Sequence, residues 1–96
     1  MCQIFAGQDP ASYDSITRSI RLNGQSTSIR LEAAFWAVLE DIAEAEGVSV
    51  AQFISTLHSE VLELYGEARN FTSLLRCACL KHGQHSQERP QVIAAE

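Results

Sequence analysis

The chain is short of positive charge. Seven Lys and Arg stand against twelve Asp and Glu, a net charge of −5, so taken whole it repels phosphate polymers. No apolar run approaches the ~20 residues that span a bilayer. The start Met1-Cys2-Gln3-Ile4-Phe5-Ala6-Gly7 has neither a basic leader nor an apolar stretch long enough for a signal peptide, and the expectation is a cytoplasmic protein with no membrane partner. Three cysteines, an odd number, fit reduced thiols better than a disulfide framework. No glycine-rich phosphate loop is present, and no Ser or Cys nucleophile has an evident orienting partner, so neither catalysis nor a cofactor is expected.

What is there makes one small domain. Ninety-six residues, 46% of them hydrophobic, are too few for two cores and too apolar for general disorder. A chain of this length buries only roughly 60 to 65% of its unfolded surface, which favours gaining core by dimerising. The charge is also unevenly spread. From Ile16 to Leu31 the only charges are Arg18, Arg21 and Arg30, whereas Glu32 to Glu67 carries eight acidic residues and no Lys or Arg. A local basic surface backed by acidic helices could point one face at DNA, although solvated helix faces account for the acidic half by themselves.

An internal echo organises the first third. Ser19-Ile20-Arg21-Leu22 recurs as Ser28-Ile29-Arg30-Leu31, with Asn23-Gly24 between the copies. Asn-Gly tolerates the positive backbone angles of a two-residue hairpin turn, and the flanks alternate as strands require. Such a turn sets Leu22 opposite Gln25, Ile20 opposite Thr27 and Arg18 opposite Ile29. One face then gathers Ile16, Ile20, Leu22, Thr27, Ile29 and Leu31, with Arg18 as an exception at the edge. The other gathers Thr17, Ser19, Arg21, Ser26, Ser28 and Arg30, all hydrogen-bonding groups. A slip of one residue would set one strand's apolar set against the other's polar set.

After Leu31 the period becomes about 3.6. Phe35, Val38, Leu39, Ile42 and Ala43 form the stripe of a helix over about 33–46, with Phe35 expected in the core and Trp36 over the sheet edge or a dimer seam. Gly47 ends it, and Ser49 with Gln52 forms a capping-box pattern for a second helix reaching about Tyr65. Its stripe of Val50, Phe53, Ile54, Leu57, Val61 and Leu62, extended by Leu64 or Tyr65, is broad enough to need a second subunit or the next helix. Gly66 stops it. Asn70 opens a third helix carrying Phe71, Leu74, Leu75, Ala78 and Leu80, with Gly83 as its expected end. The domain is thus expected over 16–83, between an irregular arm at 1–15 and a flexible tail at 84–96.

The stretch Ser26-Thr27-Ser28-Ile29-Arg30-Leu31-Glu32-Ala33-Ala34-Phe35-Trp36, followed through Ile54-Ser55-Thr56-Leu57, resembles the ribbon-helix-helix family of bacterial repressors, of the methionine-repressor and Arc-repressor type. With the preceding Arg18 to Gly24 and the third helix, the chain looks like an extended bacterial subgroup of that family: a mainly α fold with a short β-ribbon, an added amino-terminal strand and an added helix. The resemblance implies an intertwined homodimer in which one strand from each subunit pairs into a ribbon that enters the DNA major groove. It sets Ile29 and Leu31 toward the core and Ser26, Ser28 and Arg30 toward base edges, with Arg21 as a further candidate. It also assigns the amides of Ser49 and Val50 to a phosphate, although an N-cap at Ser49 needs no DNA. The function implied is a sequence-specific transcriptional regulator. The alternative is a protein-interaction or antitoxin-like dimerisation module, which a strand 16–22 lying flat beside 27–31 would favour, because a four-stranded dimer face is wide for a groove.

Two other groups carry potential chemistry. Cys77 and Cys79, with His82 and His85 nearby, invite a metal reading. Residues two apart on a helix point to nearly opposite sides, so no metal site is expected. His58 beside the second helix's stripe reads as a surface or interface histidine.

Overall fold

A computed structural model describes the backbone of residues 2–95 and the side chains of residues 3–84. The arm expected to be irregular carries a short helix α1 (Cys2–Ala6) and a single 3-10 turn (Pro10–Tyr13) opened by Asp9, whose carboxylate accepts from the Ala11 amide. Two strands follow, β1 (Ser15–Leu22) and β2 (Gln25–Glu32), and then helices α2 (Ala33–Glu46), α3 (Val50–Tyr65) and α4 (Phe71–Ala95).

The hairpin has the expected register: Leu22 faces Gln25, Ile20 faces Thr27, Arg18 faces Ile29, and the pairing continues to Ser15 with Glu32. Asn23 and Gly24 hold φ of 51° and 82°, both positive, as a turn matched to the twist of the strands requires. Ile20, Leu22, Ile29 and Leu31 are buried, while Thr17, Ser19, Arg21, Ser26, Ser28 and Arg30 are exposed. Ile16, at the open end of the hairpin, is exposed rather than buried.

The chain's own helices cover the apolar underside. Ile20, Leu22, Ile29 and Leu31 form one cluster with Trp36 and Leu39 of α2, Ile54 of α3, and Leu75 and Cys79 of α4. The small size of the chain favours a twofold partner as the source of this cover. The third helix supplies it instead, because its Leu75–Cys79 face lies against β2 and α2.

Within α2 the expected roles of the two aromatics are exchanged. Trp36 is 1% exposed, and Phe35 is half-buried at the flank of the core. The indole N–H explains the choice, since it donates to the Ile16 carbonyl at 2.8 Å and so ties α2 to the edge strand while the ring fills the core. Arg18 closes over the same ring, its guanidinium carbon 4.5 Å from the ring centroid, and pairs with Glu40 at 3.3 Å. That contact is why Arg18 departs from the apolar alternation.

Gly47 adopts φ 74° and returns its amide to Ala43 and Glu44, ending α2. The broad α3 stripe is partly used: Ile54 and Val61 are buried and Phe53 and Leu57 half-buried, but Leu64 and Tyr65 are both 74% exposed. Helix α4 does not end at Gly83, which keeps negative φ and a helical backbone with open space around it. Residues 84–95, expected as a tail, continue that helix, and residue 96 lies outside the described residues.

Replacing Trp36 with alanine empties the centre of the core and removes the indole hydrogen bond to the Ile16 carbonyl. Urea unfolding should show a loss of about 3–5 kcal/mol. A loss below about 1 kcal/mol would contradict the packing described.

Candidate nucleic-acid interface

The candidate surface is the outer face of the hairpin. Period-2 alternation fixes it: once Ile20, Leu22, Ile29 and Leu31 turn inward, their neighbours must turn outward. Ser19 and Ser28 are directly paired at the centre, Arg21 lies opposite Ser26, and Arg30 lies opposite Thr17. The Ser19 and Ser26 hydroxyls are 2.6 Å apart in a hydrogen bond, and Arg21 donates to the Gly24 carbonyl at 3.2 Å, which orients its guanidinium beside the turn. Among the described residues, the ion pairs are Arg18–Glu40, Arg69–Glu67 and Arg76–Glu32, so Arg21 and Arg30 keep their charge available to a ligand.

Acidic groups belong to the helices that follow this face in sequence. Glu40, Asp41, Glu44 and Glu46 are exposed on α2, as are Glu60 and Glu63 on α3. Glu32, at the end of β2, is held below the usual carboxylate range by its backbone hydrogen bond, by Arg76, whose Nε lies 3.0 Å away, and to a smaller extent by the nearby charge of Arg30. That pair fastens α4 to the end of the ribbon.

The other expected contact, the amides of Ser49 and Val50, meets competition inside α3. Ser49 Oγ accepts from the Gln52 amide at 3.1 Å, and the Ser49 amide donates to Gln52 Oε1 at 3.2 Å. The capping box thus uses the Ser49 amide internally. Val50 N–H, at the first turn of the helix, is the remaining one of the two for an anion.

A feature not anticipated from the sequence lies at the hairpin tip. His58 of α3 sits edge-on to Phe71 of α4 with ring centroids 5.0 Å apart, and its Nδ1 is 3.4 Å from the Asn23 amide nitrogen. These contacts join the turn to both helices beside a cleft of about 290 Å³ bounded by Asn23, Thr27, Ile29, His58 and Phe71. Sequence offered no signal for it, because the partners are 35 residues apart.

Cys77 and Cys79 do not converge on α4. Cys77 is exposed and Cys79 buried on α4, so the two thiols face apart, and among the described residues no group of three potential ligands converges. The His85 side chain lies outside the described residues.

A ribbon followed by two capped helices, with the polar face out, is the arrangement that a family profile for the ribbon-helix-helix domain matches over residues 15–83. The chain belongs to the ribbon-helix-helix family. Among solved structures, an uncharacterized protein from Bordetella pertussis Tohama I is similar to it: 46% identity and a TM-score of 0.89, covering 92% of this chain and 70% of that one. No curated protein matches. Ribbon-helix-helix domains are generally non-enzymatic DNA-binding modules and usually dimeric. Among the described residues, no helix is long and apolar enough to cross a membrane.

Burial pushes the Cys79 thiol up to about 11, so it stays protonated and unreactive in the folded chain. In the native protein a maleimide should label Cys77 and spare Cys79 until denaturant is added, as peptide mass mapping can check. Because the folded state keeps a proton that the unfolded chain releases from about pH 9 upward, stability should fall as pH rises from about 9 to about 11. Equal labelling of both thiols in the folded protein would contradict the burial.

Proposed function

We propose that this ribbon-helix-helix protein is a cytoplasmic, non-enzymatic, sequence-specific DNA-binding transcriptional regulator that acts as a homodimer and presents the hairpin's outer face to the major groove. The observation that carries this reading is the exposed Ser26, Ser28, Arg30 and Arg21 set, held outward by a buried underside and with both guanidinium groups outside any ion pair among the described residues. Arg30 can give two parallel hydrogen bonds to a guanine edge, and the serines can donate or accept at either base of a pair. The two arginines per chain give a small electrostatic footprint, so affinity should fall with salt by a modest slope. The Val50 amide at the first turn of α3 would hold a phosphate.

A second reading keeps the fold but uses it as a protein-interaction or antitoxin-like module. The observation in its favour is that β1 pairs with β2 along its whole length, which widens any face on which two chains' β2 strands meet.

Retardation of genomic DNA fragments separates the two. The regulator reading expects salt-sensitive retardation at micromolar protein, and Arg30→Ala should lose about 1–3 kcal/mol of discrimination between a selected site and a variant lacking the contacted base. No retardation at low salt would remove the regulator reading in favour of the interaction module. Unchanged discrimination in Arg30→Ala would remove the role given to that side chain.

A further inference from the structure

We infer that one chain's hairpin is by itself a complete, pseudo-twofold reading ribbon, with β1 standing where a second subunit's strand would otherwise lie. The inference rests on the DNA-reading role proposed above and concerns which strands enter the groove.

The echo in the sequence is the starting point. Thr17-Arg18-Ser19-Ile20-Arg21-Leu22 and Ser26-Thr27-Ser28-Ile29-Arg30-Leu31 share an outward pattern of hydroxyl, serine and arginine and an inward pattern of isoleucine and leucine. The register pairs Ser19 with Ser28, so a pseudo-twofold axis through that pair exchanges Arg21 with Arg30, Ile20 with Ile29 and Leu22 with Leu31. The outer face of a single chain is therefore nearly symmetric, with one arginine toward each end. At ~3.3 Å per residue the two arginines stand roughly 13 Å apart along the ribbon, about four base-pair steps.

Groove width supports the same conclusion. The Ala33 amide donates to the Asp14 carbonyl at 2.9 Å, which fixes the phase of the ladder: Ser26, Ser28 and Arg30 direct their backbone groups away from β1, along the outer edge of β2. A second chain pairing there would make a four-stranded sheet whose outer strands lie ~14 Å apart, against a groove about 12 Å wide. Displacing β1 to make room would break all eight residue pairs of the hairpin and uncover Ile20 and Leu22. The hairpin as it stands fits the groove. Two chains that associate elsewhere then bring two ribbons, each reading its own short inverted repeat.

The test uses chains carrying Cys2→Ser and Cys77→Ser, Cys79 being buried. Ser15→Cys with Glu32→Cys places thiols at the paired open end of the hairpin, outside the reading set, at a position whose spacing suits a disulfide. Oxidation should close a bond within one chain, and the oxidised protein should retard the same duplexes as the reduced one. Selection from a random pool should recover a short inverted repeat, with Arg21→Ala relaxing one end and Arg30→Ala the other, each by roughly tenfold or more. A covalent dimer on oxidation, binding lost on oxidation and regained on reduction, or an Arg21→Ala protein that selects the parent's sequences would overturn the single-chain ribbon and leave the DNA role standing. If the parent protein selects nothing, the DNA role falls and this inference with it. The arginine variants decide alone if the disulfide does not form.

Discussion

Everything in this molecule follows from the burial of one face of a hairpin against helices of the same chain. Leu31, Trp36, Leu39, Ile54 and Leu75 are its most deeply buried large side chains, one from β2, two from α2 and one each from α3 and α4. They meet where the sheet's apolar side closes. A strand cannot bury Ile29 and Leu31 without exposing Ser28 and Arg30, so the surface that carries the chemistry is a by-product of the core. The indole of Trp36 serves both purposes, filling the centre and fixing the edge strand through the Ile16 carbonyl.

The same constraint reconciles an acidic chain with a role on DNA. The net charge comes chiefly from α2 and α3, which carry exposed carboxylates, while the ribbon keeps two guanidinium groups outside any ion pair among the described residues. Repulsion elsewhere does not cancel a local attraction within a Debye length; it narrows the range of productive approaches. Arg18, the third basic residue of the ribbon segment, takes no part in that surface, because it is engaged by Glu40 and the Trp36 ring.

Much of the fold was legible in the residues. The hairpin register could be read because three signals agreed: the Asn23-Gly24 turn, the duplicated strand and the apolar alternation. The outward set followed from the register alone. The opposed positions of Cys77 and Cys79 followed from helical spacing. What could not be read was which surface covers the underside, since a partner chain and a third helix satisfy the same apolar stripe equally well. The exchange of Phe35 and Trp36 was hidden because adjacent aromatics both fall within a broad helical face, and only the position of the Ile16 carbonyl decides between them. Nor does an isolated glycine such as Gly83 say whether a helix stops or passes through. The link from Asn23 to His58 depends on tertiary approach, which local pattern does not encode.

Amide hydrogen exchange across a wide range of protein concentration reads whether the ribbon is held together within one chain. The amides of Ile20 and Thr27, paired across the hairpin, should be protected as strongly as those in the core turns of α2, and their protection should not change on hundredfold dilution. Loss of that protection on dilution, with α2 unaffected, would mean that the ribbon is held together between chains and contradict a sheet closed by its own helices.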